Sequence, residues 1–312
     1  MTRLVLRRLV ALLALLVVLS IIVFALSHVA AGDPVRNLIG ARKATPELVA
    51  AVRAQYHLDE PVWTQYWYWL SGVLGGDFGS SVRTGQPVAD VIAARVPVTV
   101  TLTALTAVLS IGLGIPLGVA AANREGKFID RMIVVTAVGG VSAPSFAVAL
   151  LLIYFFAVVL HWFPIYGVGE GGWDFLRHLI LPCLALTAGV TASIIKITRA
   201  GVLVELGKDH VVYYRSRGLG RSHVLRTLLR GAALPILTSA GLVVASLAGG
   251  AVLVETTFAL PGLGVLLTDS IHFKDVPVVQ AITLLVAVVI ALTTFIVDLV
   301  AIVIDPRLRE HV

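Results

Sequence analysis

The 312-residue chain is poor in most of what soluble proteins and enzymes use. Only 13% of its residues are charged, about half the usual share of a soluble domain. It has one cysteine, Cys183, so no disulfide can form within the chain and cysteine says nothing about compartment. No Gly-x-x-x-x-Gly-Lys-Ser/Thr loop is present; Gly126-Lys127 is followed by Phe128 and lacks the upstream glycine. This excludes a phosphate cradle of that type. Gly112-x-Gly114 lies inside an apolar run with no preceding strand, which excludes a dinucleotide fingerprint. No spaced His, Cys or carboxylate cluster points to a metal, and no Ser/His/Asp pattern stands out, so neither a metal site nor a catalytic residue is assigned. His161 stands alone at a boundary and reads as an interfacial polar group.

What the chain has is hydrophobic length. It is 58% hydrophobic, and its mean hydropathy is +0.96. A bilayer core takes about 20 apolar residues per helix. Six stretches qualify, at roughly 9–30, 97–121, 132–160, 179–200, 234–254 and 278–304. The expected fold class is an all-α membrane protein with six transmembrane helices and an external helical segment between the first two. The divisions are a first span with its N-terminus at 1–30, the external segment at 31–96, a five-helix core at 97–304 and a tail at 305–312. The first span resembles a secretory signal, but its apolar run exceeds the usual ~7–15 residues and reads as a retained helix.

The net charge of +6 is concentrated. Arg3, Arg7 and Arg8 precede the first span, and Arg124, Lys127 and Arg131 follow the second. Lys208, Arg215, Arg217, Arg221, Arg226 and Arg230 follow the fourth; Arg307 and Arg309 follow the last. With alternating spans all fall on one side, the positive-inside pattern, so both termini are expected in the cytoplasm. No aromatic stacking face accompanies the basic residues, which disfavours nucleic acid.

In the external segment, Thr45-Pro46-Glu47 reads as a helix start, with Leu48, Val52 and Tyr56 at helical spacing. A second helix begins near Pro61, where Trp63, Tyr66, Trp67 and Leu70 form an aromatic stripe. That stripe suits either the membrane–water boundary or packing on a neighbouring helix. Gly32-Asp33-Pro34 and residues 75–79 read as turns, and Val88, Val91 and Ile92 as a short surface helix. Gly114 and Gly118 are a small-xxx-small pair that permits close helix approach. Pro144 is expected to kink the third span. Intramembrane charge is limited chiefly to Lys196 and Asp298, fewer than proton-driven carriers tend to show.

Residues 201–233 are long and basic for a connection in a helical bundle. They divide into a helix near 200–216, a stop at Gly218-Leu219-Gly220, and a helix from Ser222 toward Pro235. The residues alone leave two readings: a protrusion that a partner pushes against, or a basic loop lying on anionic headgroups.

In order and spacing, the chain resembles the B-type permease subunits of oligopeptide and dipeptide ABC importers. The resemblance rests on Ala31-Gly32-Asp33-Pro34, Leu58-Asp59-Glu60-Pro61, Gly76-Asp77-Phe78-Gly79-Ser80-Ser81 and Arg83-Thr84-Gly85-Gln86-Pro87-Val88. It continues through Gly114-Ile115-Pro116-Leu117-Gly118, Ser142-Ala143-Pro144-Ser145-Phe146, Val254-Glu255-Thr256 with Phe258, and Pro261-Gly262-Leu263-Gly264. It closes with Asp275, Pro277-Val278-Val279-Gln280 and Asp305-Pro306-Arg307.

The resemblance implies a type I importer fold in a bacterial inner membrane. It also implies a second, homologous permease, two ATPase subunits that hold ATP and Mg, an extracytoplasmic binding protein and a peptide substrate. No cofactor is expected in this chain, which is not catalytic alone; its other contacts are membrane lipid, not nucleic acid. The implied ATPase-coupling loop is 201–233, with Asp209, Arg215, Ser216, Arg217, Gly218 and Leu219 at the matching positions. Tyr213 and Tyr214 depart from the family's small residues there. Alternative cargoes are nickel, glutathione or haem, and the alternative class is an ion-coupled secondary transporter.

Overall fold

A computed structural model of the chain describes residues 2–29, 35, 45–55, 57 and 59–304. Gly32-Asp33-Pro34, Tyr56, Leu58 and the tail 305–312, with Arg307 and Arg309, lie outside the described residues. The described residues form helices joined by turns and loops, and extended pairing among them is limited to a bridge between Ser80 and Pro87. The helices are α1 (Thr2–Val29), α2 (Pro46–Gln55), α3 (Val62–Leu74), α4 (Val88–Ala93), α5 (Val96–Ala122), α6 (Phe128–Ser142), α7 (Ser145–Leu152, continuing as a π-helical turn Ile153–Val159), α8 (Gly172–Leu206), α9 (Asp209–Ser216), α10 (Arg221–Gly231), α11 (Ala233–Thr257), α12 (Leu263–His272) and α13 (Val276–Ile304). The chain forms two units, residues 1–5, 100–260 and 293–312, and residues 6–99 and 261–292.

Among the described residues four segments are long and apolar enough to cross a bilayer: Val5–Ala25, Val88–Ala122 (α4 and α5 in succession), Gly172–Leu206 and Val276–Ile304. The expected span 234–254 coincides with α11, whose 25 residues rise about 37 Å, enough for a ~30 Å hydrocarbon core.

The expected span 132–160 is not one kinked helix. α6 and α7 meet at 103°. Ala143, which precedes the proline, is extended (φ −83°, ψ 122°), and Pro144 (φ −58°, ψ 135°) stands at the start of α7. A residue before proline is pushed out of the helical region, and proline has no N–H to continue the ladder. The helix therefore stops, and the Pro144 carbonyl accepts from the Ala147 and Val148 amides at 3.0 and 3.1 Å to start a new one.

In the larger unit α8 is the buried centre: 67% of its most apolar stretch is buried, against 28% for Val88–Ala122. Its length corrects two expectations. It begins at Gly172, before the expected 179, and continues to Leu206, past the expected end at 200. α5 packs on it through glycine. A Cβ at Gly114 would lie 2.6 Å from Ile194, and one at Gly118 2.6 Å from Thr198, so only glycine permits this approach. α6 is tied to α8 by a two-pronged ion pair. Arg199 Nε donates to Asp130 Oδ1 at 2.7 Å and Nη2 to Oδ2 at 2.8 Å, with the Asp130 side chain 5% exposed. The Gly126 amide also donates to Asp130, at 2.9 Å.

In the smaller unit Val88, Val278, Ala281 and Ile282 form a core with Phe78, Ile92 and Leu266 around them. α1 is fastened by Ser20 Oγ and Tyr66 Oη at 2.7 Å, by Phe24 packing on Tyr66 and Trp69, and by Gln280 Nε2 donating to the Val23 carbonyl at 3.0 Å. The expected aromatic stripe of α3 is therefore divided. Tyr66 packs toward α1, while Trp63 and Trp67 are 76% and 67% exposed.

Candidate functional site

The basic connection after α8 is a folded knob, starting later than expected. Gly207 ends α8, and the first knob helix is α9 at Asp209–Ser216 rather than 200–216. Val211 on α9 and Val224 and Leu228 on α10 pack with Val119, Ala122, Val202 and Ala232 into one apolar cluster. The knob is thus seated on the ends of α5 and α8 by its own hydrophobic face.

Charge completes the seat. Glu205, 4% exposed, is the last acidic residue of α8. Its carboxylate meets Lys208 Nζ at 2.5 Å and His210 Nε2 at 3.1 Å, and lies over Gly231, where no side chain stands in the way. One buried group therefore joins the end of α8, the start of α9 and the end of α10. The sequence reading missed Glu205; an acidic residue three before Lys208 in a basic stretch was the available signal.

The six residues assigned to the coupling loop lie along α9 and the turn after it. Asp209 is exposed in the first turn of α9, where a negative charge complements the helix dipole. Arg215 lies on the same helix, and its side chain is outside the described residues. Ser216 Oγ donates to the Tyr213 carbonyl at 2.8 Å. The helix closes with the Arg217 amide on the Tyr213 carbonyl and the Leu219 amide on the Tyr214 carbonyl, both at 3.1 Å. Gly218 takes φ +70°, the left-handed closing turn, with open space where a Cβ would stand. Leu219 is 40% exposed. Ser216, Arg217, Gly218 and Leu219 thus form a continuous exposed tip, and Asp209 stands at the other end of α9.

The two tyrosines have different roles. Tyr214 is half-buried between His210 and His223, at ring-centroid distances of 5.8 and 5.5 Å. Tyr213 is 53% exposed; its hydroxyl accepts from Arg217 Nη1 at 2.7 Å, and the guanidinium stands 5.6 Å from the ring centre. The tip exposes both charged and apolar side chains.

A second constellation joins motif residues nearly 200 positions apart. The Asp275 carboxylate, 2% exposed, accepts from Ser81 Oγ at 2.5 Å, the Val82 amide at 3.0 Å and the Arg83 amide at 3.3 Å. Arg83 lies 4.0 Å over the Phe273 ring and 3.6 Å from Asp269. This clamp holds the loop at 80–87 against α12 and α13. Among the described residues no group of three metal-ligating side chains occurs.

Comparison with known proteins accords with this architecture. Residues 114–310 match the family described as binding-protein-dependent transport system inner membrane component, and residues 1–103 match the N-terminal domain described for the same components. The chain is 38% identical over 309 residues to a probable peptide ABC transporter permease protein of Sinorhizobium fredii, with 98% of each chain covered. It is 38% identical over 306 residues to the glutathione transport system permease protein GsiC of Escherichia coli, again with 98% of each covered. The methionine ABC transporter MetNI, in an inward-facing conformation, shares the fold at TM-score 0.55 and 18% identity, over 69% of this chain and 96% of that one. Matched along nearly its whole length, with its knob exposed beside a buried central helix, the chain belongs to the inner membrane components of binding-protein-dependent transport systems.

Proposed function

We propose that this chain is a transmembrane subunit of an ABC importer that carries short peptides into the cytoplasm, with the force of ATP hydrolysis entering through the knob at 207–220. The observation that carries the coupling role is the knob's construction. Its tip is exposed, while its base is fixed to α8 by Glu205 and the apolar cluster around Val211. A push on the tip is therefore delivered to the buried centre of the larger unit. α5 and α6, packed on α8 through Gly118 and the Asp130–Arg199 pair, would move with it.

In this reading Asp209, Arg215, Ser216, Arg217, Gly218 and Leu219 meet an ATPase subunit. The complex holds a second permease, two ATPases and an extracytoplasmic binding protein. ATP and Mg are bound by the ATPases. Six spans are kept, the third broken at Pro144, and both termini face the cytoplasm. Peptide is favoured as cargo because full-length relatives are named for peptide and for glutathione, itself a tripeptide.

The test is reconstitution with the neighbouring permease, ATPases and binding protein in proteoliposomes. Uptake of labelled dipeptide, glutathione, nickel and haem is followed with and without ATP. ATP-dependent uptake of peptide is expected. Transport of nickel or haem alone would overturn the cargo, and uptake driven by a proton gradient without ATP would overturn the class. Impermeant thiol labelling of Thr2→Cys and His311→Cys in intact cells, with Cys183→Ser, is expected to fail if both ends are cytoplasmic.

A further inference from the structure

α10 buries one side in the knob's apolar cluster through Val224 and Leu228. Another side is left open. There a groove of about 670 Å³ runs between α10 and the end of α13. Leu225, Leu229 and Ile304 give it an apolar floor, and Ser222, Arg226 and Arg230 stand along it. Leu225 and Ile304 are 39% and 45% exposed.

Arg226 and Arg230, one helical turn apart, are both exposed and meet no carboxylate among the described residues. α10 itself contains no acidic residue. Ile304 is the last described residue of a 29-residue apolar helix long enough to cross a bilayer. The groove therefore stands where hydrocarbon gives way to headgroups.

We propose that this groove is a binding site for an anionic glycerophospholipid. Arg226 and Arg230 hold the phosphate, Ser222 Oγ adds a hydrogen bond, and Leu225, Leu229 and Ile304 cover the upper part of an acyl chain. Three features select this occupant together. Unneutralised guanidinium pairs prefer phosphate, which they bind with two parallel N–H donors. The apolar floor has no use for a free anion. The end of a membrane-length helix supplies the depth at which both halves of a lipid are available. The site is distinct from the knob's exposed tip, so a lipid seated there would brace the base of the knob from the membrane side.

The experiment titrates phosphatidylglycerol into the delipidated full chain in neutral detergent and counts bound lipid by native mass spectrometry. Phosphatidylcholine and inorganic phosphate serve as comparison ligands. R226Q/R230Q is expected to weaken phosphatidylglycerol binding about thirtyfold, from about fivefold for each basic residue near an anionic surface. R226K/R230K should retain most of it, and Arg217→Gln at the tip should leave it unchanged. Phosphatidylcholine should bind far more weakly, and inorganic phosphate should not displace the lipid. Equal binding by wild type and R226Q/R230Q would overturn the proposal. So would equal loss in Arg217→Gln, which would mean diffuse charge attraction. Competition by inorganic phosphate would reduce the site to an anion site. If deleting residues 306–312 were required before lipid bound, the occupant would be the chain's own tail and the lipid assignment would fall.

Discussion

Replacing Gly218 tests the coupling role with little steric confusion. Its φ of +70° is a conformation that costs an L-residue roughly 1–2 kcal/mol, and nothing lies within 4 Å of the position a Cβ would take. Any effect is therefore one of backbone preference. At 1–2 kcal/mol the observed turn loses a factor of about 5–30 in population relative to alternatives that release the Tyr213 and Tyr214 carbonyls. Asparagine tolerates the left-handed region, alanine tolerates it less, and a β-branched valine least. The expected order of peptide-stimulated ATP hydrolysis and uptake is Gly, Asn, Ala, then Val. Membrane yield and the binding protein's own affinity for peptide should stay constant, because the turn is outside the apolar cluster. The assay is stimulated hydrolysis and uptake by the reconstituted complex, with co-purification of the ATPases followed in parallel. Full stimulated hydrolysis and full uptake by Gly218→Val would refute the reasoning, since a tip that transmits force cannot be indifferent to its own closing turn.

Arg199→Ala should destabilise the larger unit by about 3–5 kcal/mol by stranding the buried Asp130 carboxylate, and Asp130→Asn on that background should recover part of the loss; thermal unfolding in detergent measures both. Gly118→Val should separate α5 from α8 and lower folded yield sharply, whereas valine at Gly112, exposed on the same helix with open space where a Cβ would stand, should leave the packing intact; size-exclusion profiles distinguish them. Asp275→Ala removes the acceptor of three hydrogen bonds, at about 1–3 kcal/mol for each donor left unpaired. Hydrogen exchange at Val82 and Arg83 should rise while α8 stays protected.

Local patterns were legible without the structure. Apolar length marked the long helices, because bilayer thickness sets a residue count that any hydropathy reading can measure. Pro46 and Pro61 marked helix starts, and Gly218 marked a helix stop, because proline and glycine act on the backbone beside them. Gly114 and Gly118 announced a close approach, though not the partner they approach. What tertiary structure alone decided involves residues far apart in the chain or strength of competition. Pro144 was visible, but only the geometry distinguished a kink from a 103° break. α8 overran its hydrophobic stretch because Glu205 and Val202 find partners beyond the apolar run. Asp130 with Arg199, and Asp275 with the loop at Ser81, are 69 and 194 positions apart. A charge in a sequence carries no direction, and only the folded chain determines which opposite charge or amide it can reach.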